Sequence, residues 1–187
     1  MNFISIARTP IMSVTPNLYL LAATLWRGSM AGESIDTMNL FYGISGPYPE
    51  SCGKPRSESS TYELKQMNNE ADLLAAFTKW LNQNSDNAVI VATEDDCELL
   101  RKMAKMGTSW DFHLDHIVNL DAIWPLRDLE TYARRHGITW RTGTNKAIQT
   151  ASLRALCYRH LLFALDLNNR PASEIPAIDR KIVAFHP

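Results

Sequence analysis

Cysteine is scarce and scattered in this chain. Cys52, Cys97 and Cys157 are its three cysteines, and no CxxC spacing joins any two of them. That argues against a zinc knuckle or a dithiol redox pair. An odd count with no secretory leader points to a reducing, intracellular setting. Excess charge of one sign is missing as well: 19 Lys and Arg stand against 20 Asp and Glu, a net charge of −1 at pH 7. No global basic field draws nucleic acid toward the chain. Long apolar runs are absent too. The most apolar early stretch, Leu18 to Trp26, is too short to span a bilayer. The expectation is a soluble, cytoplasmic protein with no membrane partner.

What is present is enough for a core. The chain has 187 residues, 45% of them hydrophobic, with five Trp and six each of Tyr and Phe. That composition fits one globular domain and argues against disorder. Phe3 to Ile6 is rich in β-formers, and Pro10 and Pro16 bracket a loop. Leu18 to Trp26 reads as a buried strand closed by a turn at Arg27-Gly28-Ser29. Asp36 to Ile44 reads as a third strand, with Met38, Leu40 and Tyr42 alternating against Thr37, Asn39 and Phe41. Three such strands suggest an antiparallel meander.

The segment from Gly43 to Ser60 reads as loop. Gly46 and Gly53-Lys54 have the wrong spacing for a phosphate-binding loop, and Pro55 stands where a Ser or Thr is required. Asn68-Asn69-Glu70 opens a helix with an Asn cap. Leu73, Leu74, Phe77, Trp80 and Leu81 share one of its faces. Ala88 to Ala92 is a continuous apolar run, the pattern of an interior strand. Glu94 to Met106 reads as a helix with Leu99, Leu100 and Met103 inward, stopped by Gly107. Ile117 to Leu120 fits a short strand and Leu126 to His136 a helix ending at Gly137. Asn145 to Leu167 fits the longest helix. The order βββ-α-β-α-β-α-α predicts an α/β fold, a mixed sheet with helices on its faces. The expected division is one domain over residues 1–167 and a C-terminal tail over 168–187.

Several groups of residues could carry chemistry. Asp111, His113, Asp115 and His116 form the richest cluster of metal-ligand types, against which stands a solvated polar loop. Glu94, Asp95, Asp96 and Glu98 make an acidic helix start, which the helix N-terminus favours by itself. Cys97 lies at the same helix start, where thiol pKa values fall, but its acidic neighbours oppose that effect. His136 fits a helix cap, and His160 a surface or groove position on the last helix. Arg134, Arg135, Arg141 and Lys146 surround Trp140 before that helix. Basic residues interleaved with an aromatic suit phosphate contacts and base stacking; a solvated helix end is the bland alternative.

The element order, with the words Ala88-Val89-Ile90-Val91-Ala92 into Asp95-Asp96-Cys97-Glu98-Leu99-Leu100-Arg101, resembles the DEDDh 3′–5′ exonucleases. These are ribonuclease-H-like enzymes that include proofreading subunits and phage and prophage exonucleases. The resemblance spans roughly residues 3 to 165. It implies an Asp-x-Glu on the first strand, an Asp in the helix after the fourth, and a His followed by an Asp on the last helix. Four acids then hold two divalent cations while the His activates water. In this chain the first motif falls on Ser5 and Ala7, and the last on Asn145 and Thr150. Asp96 matches the middle acid, with Glu98 the other candidate. One acid cannot offset two Mg²⁺ or Mn²⁺ ions, and Arg8 would oppose a cation. The expectation is a pseudoenzyme with no cofactor and no metal. At most Asp96, His113 or His116 would hold an ion weakly. It would bind a nucleic-acid end or a protein partner such as a nuclease, polymerase or defence protein, in a phage or prophage setting. Two alternatives stand: a divergent exonuclease using Mg²⁺ or Mn²⁺ on Asp96 and Glu98 with Asp36 or Asp121, and a structural subunit of a larger assembly.

Overall fold

The computed structural model describes residues 2–11, 18–27, 40–47, 64–84, 88–105, 117–123, 128–140 and 146–164. The Asp111–His116 cluster, Asp36, Arg141, Asn145, the Gly53-Lys54-Pro55 segment and the C-terminal tail lie outside them.

Among the described residues, six strands form one mixed sheet. They are β1 (Asn2–Pro10), β2 (Tyr19–Arg27), β3 (Leu40–Ile44), β4 (Lys65–Gln66), β5 (Ala88–Ala92) and β6 (Ile117–Asn119), in the spatial order β4-β3-β2-β1-β5-β6. β2 runs antiparallel to β1 and β3, whereas β5 runs parallel to β1 and β6, and β3 parallel to β4. The helices are α1 (Glu70–Asn84), α2 (Glu94–Lys105), α3 (Leu120–Ile123), α4 (Leu129–Arg135) and α5 (Lys146–Ala164). This is an α/β architecture, a mixed sheet with helices on both faces.

The strand period of two sorts each central strand between two cores. Ile4, Ile6, Leu21, Ala23, Leu25, Phe41 and Ile90 face α1 and α2, where they meet Leu73, Phe77, Leu81, Leu100 and Met103. Phe3, Val89, Val91 and Val118 face α5 and pack with Ala155 and Tyr158. Ala7, Leu20, Ala22, Tyr42 and Ile44 do the same with Ala147, Ile148 and Ala151. β5 is buried at all five positions because it lies between β1 and β6 with helices on either side. That is why its sequence is apolar without alternation.

The third strand departs from its expected one-sided alternation. Phe41 and Tyr42 are both buried, since both sheet faces are covered. Gly43 beside them is a close approach: a Cβ there would meet Leu73 Cδ1 at 2.5 Å. β4 and α3 are elements the sequence reading did not anticipate. α4 begins three residues later than the expected Leu126, where Asp128 accepts from the Thr131 backbone N–H at 2.9 Å and caps the helix. Asn69 caps α1 as its sequence predicts, accepting from the Asp72 N–H at 2.9 Å.

Candidate functional site

Asp96 is the expected middle acid, and it is buried at 1% exposure. It sits in the first turn of α2, just beyond the end of β5. Thr93 precedes the helix, takes the Cys97 N–H on its carbonyl at 2.8 Å, and donates its hydroxyl to Asp96 Oδ2 at 2.9 Å. The carboxylate then meets a cation that the sequence reading missed. Arg154 of α5 donates Nη1 to Asp96 Oδ2 at 2.5 Å and to the Ile6 carbonyl of β1 at 2.6 Å. The side chains of this pair are 11% and 2% exposed, Arg154 and Asp96 respectively. Each charge of this pair is largely out of water, so losing either partner would leave the other uncompensated.

The two β1 positions aligned with the family acids lie under α5. Ser5 is fully buried and donates its hydroxyl to the Ala151 carbonyl at 2.7 Å. Ala7 is fully buried among Ala147, Ile148 and Ala151. Neither supplies charge. Three elements therefore converge around Asp96, β1, α2 and α5, and the positive charge placed there is a guanidinium.

Beside this pair lies a cleft of about 320 Å³, lined by Thr93, Leu120, Asp121, Asp128, Glu130, Thr150 and Arg154 among others. Thr150 thus borders the cleft. Because Asp96 neutralises Arg154, the carboxylates of Asp121, Asp128 and Glu130 leave its walls acidic. These acids are already engaged. Asp121 Oδ2 accepts from the Glu94 N–H at 3.0 Å, capping α2 from outside. Glu94 in turn bonds Asn119 and Arg101. Hydrogen bonds from the Thr131 hydroxyl and N–H hold the Asp128 carboxyl below its ordinary range. Glu130 pairs with Arg134 at 3.5 Å. Among the described residues, no group of three or more His, Cys, Asp or Glu could hold a metal ion.

Other candidates scatter. Glu98 is exposed on α2, away from the buried carboxylate on the same helix. Cys97 is 3% exposed; burial, then the Glu94 charge, pushes its thiol up to about 11. It is therefore a protonated core residue at neutral pH, and Cys157, pushed up to about 12 by burial, is another. Arg134, Arg135 and Lys146 are exposed. Trp140 is half-buried and packs with Ile138 against Ala133, Leu153 and Cys157, so part of its ring surface is already covered. His136 caps α4 as expected. The N–H of Gly137 bonds Arg134 O and that of Ile138 bonds Ala133 O, with Gly137 at φ +66°, which is the Schellman pattern.

The sequence did carry a signal for Arg154. Ala147, Ala151, Arg154 and Tyr158 fall on one row of α5, and the other three are buried. A lone arginine in an inward row requires a carboxylate or carbonyl partner. The family overlay on Asn145 to Thr150 stops one helical turn short of it.

No protein-family model matches the chain, and no curated protein matches it. No helix of the described residues is long and apolar enough to cross a membrane.

Proposed function

We propose that the chain is a ribonuclease-H-like domain of exonuclease type that has exchanged its metal centre for an ion pair and works by binding. The observation that carries this reading is the Asp96–Arg154 pair anchored on the Ile6 carbonyl. The ββββ-α-β-α order, with β2 alone reversed in the sheet, supports the architectural half. The buried Ser5 and Ala7 support the catalytic half. In a two-metal site, carboxylates on neighbouring elements clamp the ions that hold the phosphate. Here a fixed guanidinium occupies the remaining acid, so that carboxylate is already engaged and is not free to ligate a divalent ion. An exonuclease built on Asp96 and Glu98 would need Arg154 to leave and the exposed Glu98 to turn inward.

The ligand this reading favours is a nucleic-acid strand held by the exposed Arg134 and Arg135 at the end of α4. Its phosphates would stay outside the acidic cleft. The carboxylates of that cleft favour a second reading, a basic protein partner seated there.

The experiment is a degradation assay on end-labelled single- and double-stranded DNA and RNA with Mg²⁺ or Mn²⁺. No shortening is expected. Shortening from the 3′ end that vanishes on Asp96→Ala would overturn the proposal. Anisotropy titrations with the same strands separate the ligands. Salt-sensitive binding lost on charge reversal of Arg134 and Arg135 supports nucleic acid. No binding at low salt leaves the protein partner.

A further inference from the structure

Six residues beyond Arg154 on α5, and independent of the function proposed above, two histidines face each other. The ring centroids of His136 and His160 are 4.7 Å apart with planes 40° from parallel. Tyr132 completes the cluster. Its ring lies 4.4 Å from His136, and its hydroxyl is 2.9 Å from His160 Nδ1. The backbones are well held. His136 ends α4 with its N–H on the Tyr132 carbonyl at 3.1 Å, and α4 packs on α5 through Ala133, Leu153 and Cys157.

We propose that His136 and His160 form a two-imidazole site for a late first-row transition ion such as Cu²⁺, Ni²⁺ or Zn²⁺. The ring separation fits. With metal–nitrogen bonds of about 2.0–2.1 Å, two imidazoles on one ion hold their centroids about 4.5 Å apart at a right angle and about 5 Å at the tetrahedral angle. The 4.7 Å spacing falls between the two.

Tyr132 orients the donor. When His160 Nδ1–H donates to the phenol oxygen, the Nε2 lone pair is left for a ligand, the role an outer partner plays at histidine metal sites. The surroundings select the ion. Among the described residues no third His, Cys, Asp or Glu joins the pair. Arg134 and Arg135 on α4 and Arg159 on α5 are the nearest basic residues in sequence. Hard ions such as Mg²⁺ and Ca²⁺ depend on oxygen ligands and gain nothing here. Imidazole suits copper, nickel and zinc, with copper the strongest. Water fills the open positions.

The test is calorimetric titration of the untagged full chain with CuCl₂, ZnCl₂ and MgCl₂ near neutral pH. One equivalent of Cu²⁺ is expected to bind, Zn²⁺ more weakly and Mg²⁺ not at all. His136→Ala or His160→Ala should each weaken Cu²⁺ binding by about a hundredfold, and Tyr132→Phe by about tenfold. The double variant His113→Ala, His116→Ala should leave it unchanged. Equal Cu²⁺ affinity in wild type and both single-histidine variants overturns the proposal, as does loss of the site in the double variant instead. Histidine ring resonances of the wild type supply a reading that needs no variant. Zn²⁺ should shift those of His136 and His160, and resonances that stay fixed sink the assignment.

Discussion

Replacing Arg154 by Met would strand the Asp96 carboxylate at 2% exposure without its cation. Breaking a buried pair from one side costs about 3–5 kcal/mol, because the remaining charge is uncompensated. Urea denaturation should therefore show Arg154→Met as one of the most destabilising single changes outside the apolar core. The double change Asp96→Leu with Arg154→Met should recover most of that loss, since an apolar pair of similar volume removes both charges. If the double variant is no more stable than the single one, the pair is not the source of the effect. Gly137 makes a smaller claim. Its φ of +66° meets no neighbouring atom, so Gly137→Ala should cost only the left-handed backbone penalty of about 1–2 kcal/mol, read as a fall in the urea midpoint.

At the scale of elements, legibility followed periodicity. α1 was readable because Leu73, Leu74, Phe77, Trp80 and Leu81 repeat at helical spacing behind an asparagine cap, and all five are buried. Asn69→Ala should cost about 0.5–2 kcal/mol, and Asn69→Gly only a few tenths; equal losses in thermal melts would mean that the side-chain bond to Asp72 contributes nothing. β5 was readable because five apolar residues in a row suit a strand covered on both faces. β4, two residues long and exposed, has no period to read. α3 is a single turn whose start is fixed by the Asn119 side chain on the Asp121 N–H, a tertiary contact rather than a pattern. At the candidate site the sequence pointed to Ser5, Ala7 and Asp96, all three buried where β1 and α2 meet α5. The closure of the site was not legible, because the partner of Asp96 lies 58 residues away, and only the inward row of α5 hints at it.

Across the whole molecule, one brace joins three elements. Glu70 at the start of α1 accepts from the Tyr19 hydroxyl of β2 at 3.1 Å and from Lys102 of α2 at 2.8 Å. Burial raises the Glu70 carboxyl, but the bonds from Lys102 and Tyr19 outweigh it, and the net shift is below the ordinary 4.5. A depressed folded pKa gives stability that is complete above the ordinary value and lost as pH falls through the folded one. The stability gap between wild type and Glu70→Gln should thus be open at neutral pH and close in acid. Urea midpoints across that range check it; a gap that widens in acid would refute the assignment. The long reach from β1 to α5 also sets a timetable. Ser5 and Ile6 find their partners 146 and 148 residues later. At a synthesis rate of about 5–20 residues per second, Asp96 leaves the ribosome's catalytic centre some 3–12 s before Arg154 does. Through that interval the growing chain holds an acid whose counter-charge does not yet exist, so this pair closes only after α5 has been made.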